Sequence, residues 1–308
     1  MKRVNCVICG QDRTKIFAVN NGFSLVMCLN DNLIYVNPQP DKDDYDRFYG
    51  SPDYFLRGKK ELGYVDYMAD KDAVSKNGQV VINAIKKFVP LCGISRSEIK
   101  LLDIGCAYGF SLDVARRSGF EVWGNDLNEE ALKYARDTLN ILNVKHGYLQ
   151  DINYENNFFD VAMMLGTIEH FQNPQDEVGE AWRILRPGGI LAVLTVDMDS
   201  IIGRGTIRPP EHLYYFSGRT LRNLLEKNGF EVLSVTPKIM PNVFYFTVED
   251  FFGRIFDYFY RLTENNFLKV SALKLKKLIL FPIKKLGLSH LMMSGIDGQF
   301  LMIAKRKE

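Results

Sequence analysis

From about residue 96 onward, short solid runs of apolar residues take turns with stretches whose apolar positions recur at helical spacing. "KLLDIG" predicts a strand. "FSLDVARRSGF" sets Leu112, Val114, Ala115 and Phe120 near one helical face, with Gly119 as its C-terminal cap. "EVWGND" predicts a second strand, and "NEEALKYARDTLN" a helix opened by Asn128. "NVKHGYLQ" reads as a weaker third strand. "FFDVAMML" is apolar without a break, as a strand covered on both faces would be. "PQDEVGEAWRILRPGG" predicts a helix stopped by Pro187 and two glycines, followed by the buried strand "ILAVLTV". "SGRTLRNLLEKNGFEVLSVTP" reads as a helix, a glycine cap at Gly229 and a strand, and "QFLMIAKRK" closes the chain as another. Strands alternating with helices imply an α/β sheet with helices on both faces.

The flanks differ in character, which suggests three parts. Residues 1–48 hold a C-x-x-C and a polar, proline-containing exit, and read as a cysteine knuckle. Residues 49–95 look largely helical and rich in tyrosine, as a linker or lid. Residues 96–308 form the main domain, in which 238–296 interrupt the last pair of strands as an inserted cap. No repeat or low-complexity tract is visible. The 308 residues suffice for one large domain with such appendages.

Charge and cysteine usage narrow the class. A net charge of +2 gives no case for nucleic-acid binding. The start, "MKRVNCVICGQDRTK", lacks the apolar core of a secretory signal. No apolar run reaches the roughly 18 residues of a membrane span. An odd count of five cysteines, two of them in C-x-x-C, suits a reduced cytoplasmic setting better than a disulfide framework.

The chemistry begins at "LLDIGCAYGF". Asp103 closes the strand, and Gly105, Ala107 and Gly109 follow at every second position. A dinucleotide turn would read G-x-G-x-x-G, and G-x-A-x-G is one residue too short. Small residues let a backbone approach a ligand closely, and an acid can meet an ammonium group. The pattern resembles motif I of the class I S-adenosylmethionine-dependent methyltransferases. "WGNDLNEEALKYAR" and "FFDVAMMLGTIEHFQNPQDEVGEAWRILRPGGILAVLT" are similar to the later motifs of that family. "EHLYYFSGRTLRNLLEKNGFEVLSV" resembles an acceptor-side region of bacterial small-molecule methyltransferases. The likeness covers roughly residues 78–237 and the final strand. It implies a Rossmann-like seven-stranded sheet, mostly parallel with the last strand antiparallel. It also implies S-adenosylmethionine as methyl donor and a small-molecule acceptor: a hydroxyl of a sugar nucleotide or glycolipid precursor. Methylation of a quinone-like ring or a sugar carbon is the alternative, and a silent cofactor-binding module is a third reading.

By this resemblance Asp103, Gly105, Ala107 and Gly109 form the methionine end of the pocket. Asp126, with Leu127 beside it, ends the second strand, where an acid accepts hydrogen bonds from ribose hydroxyls. Ala107 stands where the family has glycine, and its extra methyl fits the turn if its φ is negative. Gly147 is followed by Tyr148 rather than an acid, so Asp151 is the nearest substitute at the adenine, with Tyr148 or Leu149 as lining. A hydroxyl acceptor must lose its proton, and histidine suits that task near neutrality. His170 in "GTIEH" and His212 in "PPEHLYYFS" are the candidates, with Glu169 to orient them. Tyr214 and Tyr215 read mainly as packing.

Cys6-x-x-Cys9 and Cys28-x-x-Asp31 resemble the zinc knuckle of some sugar methyltransferases, with Asp31 in place of a fourth thiolate. Zinc accepts carboxylates, so a Cys3Asp set is open to a structural ion, and a metal-free remnant is the other reading. Lys269, Lys274, Lys276, Lys277, Lys284 and Lys285 stand among leucines. Such a stretch reads either as a cap or homodimer helix with a solvated face, or as a peripheral contact on the inner face of the membrane.

Overall fold

The structure is a computed structural model, and it describes residues 1–51, 54–55, 67–89, 98–200, 203, 207–237, 246–247, 292–293 and 298–308. The chain opens with a hairpin of β1 (Thr14–Asn20) and β2 (Phe23–Cys28). Its turn is Asn21-Gly22, both with positive φ, the pairing that matches the twist of two antiparallel strands. β3 (Ile34–Val36) pairs antiparallel with β2, and α1 (Lys42–Tyr49) follows. α2 (Lys71–Ile85) buries Val81, Ile82 and Ile85 on one stripe.

The main domain alternates as expected. β4 (Lys100–Ile104), α3 (Phe110–Arg117), β5 (Glu121–Asp126), α4 (Glu129–Asp137), β6 (Val144–His146) and the short α5 (Leu149–Ile152) come first. The Asn128 side chain caps α4 by accepting from the Ala131 amide at 3.0 Å. β7 (Phe159–Leu165), α6 (Pro174–Ile184) and β8 (Leu185–Val196) follow. β9 (Tyr214–Tyr215), α7 (Gly218–Lys227), β10 (Phe230–Pro237), β11 (Phe246–Thr247), β12 (Met292–Met293) and β13 (Gln299–Arg306) complete the described elements. The Ser217–Thr220 pair forms a reciprocal capping box at the start of α7.

Seven strands form one sheet in the order β10-β13-β8-β7-β4-β5-β6. The β4–β5, β4–β7, β5–β6 and β7–β8 pairs are parallel, and β13 runs antiparallel between β8 and β10. This is the seven-stranded, Rossmann-like sheet with an antiparallel last strand. Val161, Met163 and Met164 of β7 have no exposed surface, each contributing roughly 1.5–3 kcal/mol of burial. The strand order reverses at β4, whose neighbours are β5 on one side and β7 on the other. A crevice at the carboxyl ends of the strands follows from that reversal.

Two elements differ from the sequence expectation. α6 ends at Ile184, and the chain enters β8 at Leu185, before the proline and glycines. The "RPGG" residues form an irregularity inside the strand: Phe159 faces Leu185, but Val161 faces Ile190. Pro187 and Gly188 project into solvent while the flanking residues stay in the ladder. The second difference concerns the N-terminal segment. Its sheet runs β1-β2-β3-β9, so a strand of the main domain completes it, with Tyr35 opposite Tyr214 and Ile34 opposite Tyr215. Within the expected cap, β11 and β12 pair antiparallel, and the lysine-rich stretch from Lys269 to Lys285 lies outside the described residues. No helix among the described residues is long and apolar enough to cross a membrane.

Candidate active site

The turn after β4 is built for close approach. Gly105 has φ +77°, and a Cβ there would lie 2.4 Å from Cγ2 of Thr167. Gly109 has φ +77° and opens α3. Ala107 also has a positive φ, +47°, against the expectation of a negative one. The reason is a contact: in this conformation its amide donates to Oδ2 of Asp126 at 2.8 Å. A left-handed alanine costs roughly 1–2 kcal/mol, which the charged hydrogen bond offsets. The Asn128 amide donates to the other carboxylate oxygen at 2.9 Å. Burial raises the Asp126 carboxyl above its ordinary range, while these amides pull the other way. Asp103, 2% exposed, has no hydrogen-bond partner on Oδ1. Burial, and then the charge of Asp126, push its carboxyl up to about 8.

One cavity gathers most of these groups at the carboxyl ends of β4, β5, β6 and β7. Gly105, Ala107, Asp126, Leu127, Tyr148 and Leu149 line it. Gly166, Thr167 and His170 line it as well, Thr167 close against Gly105, together with Tyr49, Tyr54 and Phe55. Asp103, Gly109, Glu169 and His212 are not among the residues that line the cavity. Asp151 is exposed and lines another cleft, whereas Tyr148 and Leu149 line this cavity.

His170 is held from two directions. Its Nδ1 lies 2.9 Å from the carbonyl oxygen of Glu211 and 2.7 Å from the hydroxyl of Tyr49. A carbonyl only accepts, so we assign the proton to Nδ1, which leaves the Nε2 lone pair free. The Tyr45 hydroxyl lies 2.7 Å from the carbonyl of His170 and 2.9 Å from that of Glu211. His212 packs edge-on against His170 with ring centroids 4.8 Å apart. It is buried, with Nδ1 unpartnered, and burial holds its pKa well below the ordinary value. Glu169 is buried and accepts from the Thr195 hydroxyl at 2.9 Å, and burial raises its carboxyl. Sequence reading missed Tyr45, Tyr49 and Glu211 at this site. The four-residue spacing of the two tyrosines on an acidic helix start was their only local signal.

A family described as a methyltransferase domain matches residues 77–235, just over half of the chain. The chain belongs to this family. A "probable S-adenosylmethionine-dependent methyltransferase" of Mycolicibacterium smegmatis is 31% identical over 133 residues, 43% of this chain and 52% of that protein. The chain thus spans about half the length of that relative. A ubiquinone biosynthesis O-methyltransferase of Pectobacterium atrosepticum is 27% identical over 171 residues, 47% of this chain and 71% of that one. Among solved structures, a SAM dependent methyltransferase from Archaeoglobus fulgidus has a TM-score of 0.50 at 17% identity, covering 82% of this chain and 99% of that chain. That likeness is one of fold.

Outside the methyltransferase domain's cavity, the N-terminal segment brings Cys6, Cys9, Cys28 and Asp31 together, their ligand atoms all within 4.8 Å of one another. Cys9 and Cys28 sulfurs lie 3.6 Å apart, and Asp31 Oδ2 is 3.6 Å from Cys6 Sγ and 3.7 Å from Cys28 Sγ. A tetrahedral zinc with thiolates at about 2.3 Å needs ligand separations of about 3.5–3.8 Å. Three of the six donor separations fall in that range, and the donor types match the ion's ligand preferences. Cys106, by contrast, is a buried thiol under the glycine turn, touching the position a Gly124 side chain would take.

Proposed function

We propose that the protein transfers the methyl group of S-adenosylmethionine to a hydroxyl of a small-molecule acceptor, of the sugar type. The observation that carries this reading is a single cavity running from the Asp126 carboxylate and the Gly105–Ala107 turn to His170. The residues fit the donor. Gly105 leaves a cradle that any Cβ would close, and Asp103 stands buried just before that turn with one carboxylate oxygen unpartnered. Asp126 would accept from the ribose hydroxyls, while Leu127, Tyr148 and Leu149 would flank the adenine.

Bound there, S-adenosylmethionine supplies an electrophilic methyl on a sulfonium. The protein's part is then positioning and proton removal. His170 Nε2 takes the acceptor proton as the new O–C bond forms and the S–C bond breaks. Glu211 and Tyr49 keep the Nδ1 tautomer that leaves Nε2 basic. His212 supports the His170 ring as a neutral partner, and Glu169 fixes the loop below it, its carbonyl accepting from the Leu213 amide at 2.9 Å.

In the same reading the N-terminal segment holds one structural zinc on Cys6, Cys9, Cys28 and Asp31. With all four positions filled by the chain, the ion joins β2 to the preceding C-x-x-C loop and takes no part in chemistry.

Titration calorimetry tests the donor assignment. S-adenosylhomocysteine is expected to bind and NAD is not. Binding of NAD in preference to S-adenosylhomocysteine would sink the reading.

A further inference from the structure

A second cavity, of about 750 Å³, lies between the N-terminal segment and the starts of α5 and α6. It meets the first cavity along Tyr148, Phe171 and Gln172, which line both. Its volume falls within the usual ~300–1,000 Å³ of small-molecule sites.

Two buried side chains border it, each with one polar atom that lacks a hydrogen-bond partner. Glu177 is 4% exposed and its Oε2 has no partner. Gln39 is 2% exposed and its Nε2 has none either. Leaving a buried polar atom unpaired is costly, so both positions favour a ligand that supplies a donor to the acid and an acceptor to the amide. A hydroxyl group does both.

The rest of the lining points the same way. Gln150, Gln172 and Asn173 add amide groups, and Tyr148 and Phe171 add ring surface. Charge nearly cancels: Lys2, Arg3 and Lys42 face Asp41, Asp151, Asp176 and Glu177. Several of these are already engaged, Asp41 by the chain's amino terminus at 2.5 Å, Lys42 by Asp46, and Asp176 by the Asn173 amide at 2.5 Å. A cleft of this kind does not select a strongly charged ligand. Paired amides and an acid beside ring faces suit a neutral ring whose edge is hydroxylated and whose faces are C–H.

We infer that this cleft is a carbohydrate subsite, which holds a neutral, hydroxyl-rich part of the acceptor while its reacting hydroxyl reaches past Phe171 and Gln172 to His170. The inference rests on the proposed methyl transfer and names where its acceptor binds. Glu177 accepts hydroxyl donors, and Gln150 beside it aligns the carboxylate.

Saturation-transfer NMR on the full chain, with and without S-adenosylhomocysteine, tests it. The probes are methyl glycosides of common hexoses and a set of disaccharides, with cyclohexanol and inorganic pyrophosphate as hydroxyl-poor and anionic controls. At least one glycoside is expected to bind, and neither control to displace it. Glu177→Ala and Gln150→Ala are each expected to weaken that binding about fivefold or more, roughly the loss of one hydrogen bond. Affinity for S-adenosylhomocysteine should stay within about twofold, since neither residue lines its cavity. Failure of every glycoside to bind, binding indifferent to both variants, or preference for pyrophosphate overturns the subsite. Calorimetry on the same sample separates the two proposals. S-adenosylhomocysteine bound without any glycoside overturns the subsite alone, and neither ligand bound overturns both.

Discussion

The amide of Ala107 donates to the Asp126 carboxylate at 2.8 Å, tying the turn after β4 to the end of β5. The bond fixes the acid before any ligand arrives, and it requires a left-handed residue at 107. Ala107→Gly relieves that strain but loosens the unfolded chain. The net expectation is a gain of about 0.5–1 kcal/mol in chemical denaturation, with binding of S-adenosylhomocysteine retained. A loss of stability on this substitution would mean that the alanine methyl packs to advantage.

If Asp126 is the acceptor for ribose hydroxyls as proposed, Asp126→Ala removes it, and it strands the Ala107 and Asn128 amides. Calorimetry should show S-adenosylhomocysteine binding weakened by roughly 1–3 kcal/mol. Unchanged affinity would move the ribose contact elsewhere.

The buried acids give the ligand-free protein a pH dependence of known sign. Asp103 titrates near 8 in the folded protein against an ordinary 3.8, and burial pushes Glu177 up to about 7. Each favours the folded state while protonated, so its contribution is complete at low pH and is lost as pH rises through the folded value. His212 acts oppositely, since a neutral buried imidazole favours folding only as pH rises toward its ordinary 6.5. Above 6.5 the His212 contribution is complete and no longer offsets the loss from the acids. Tm should fall from there to beyond 8, and Asp103→Asn should flatten much of that slope. A wild-type Tm that rises over this interval would contradict the assignment.

His170 and His212 should separate cleanly. His170→Ala is expected to lower turnover by about 10²–10⁴-fold with donor affinity nearly unchanged, the range for loss of a general base. His212→Ala should act mainly on stability, because the ring is buried against His170 and off the cavity. Tyr49→Phe keeps the ring and removes the hydroxyl 2.7 Å from Nδ1. It should lower kcat and shift the pH–rate profile more than it changes KM. Full activity in the His170 variant would pass the base to another group.

Protein purified without a metal-binding tag should contain about one zinc per chain, by elemental analysis. Cys9→Ser should lower that content, and chelation should lower Tm. Absence of zinc together with indifference to chelator would leave a packed, metal-free knuckle.

Much of the sheet is readable locally because its signals are local. The unbroken apolar run of β7 reports burial on both faces, and Asn128 caps α4 through a contact three residues away. Asp126, Gly105 and His170 were legible for a related reason: crevice residues sit where strands end, and strand ends show in the pattern. Cys6-x-x-Cys9 and Cys28-x-x-Asp31 stood out in the sequence by their resemblance to a knuckle, and the structure brings the four side chains together.

What the pattern does not carry is decided by contacts distant in the chain. The sign of φ at Ala107 depends on an acceptor on the neighbouring strand. The "RPGG" segment bends within β8 because Phe159 and Val161 hold its two ends in the ladder, which overrides its helix-stopping composition. Tyr214 and Tyr215 look like core aromatics, yet they also complete the N-terminal sheet, since an open edge at β3 offered them hydrogen bonds. Tyr49 reaches His170 across 121 positions, and the half-sites of the knuckle meet only because β2 returns beside the first loop. Periodicity records which face of an element is buried. Which partner covers that face, and which polar groups then meet inside the cavity, is set when the elements pack.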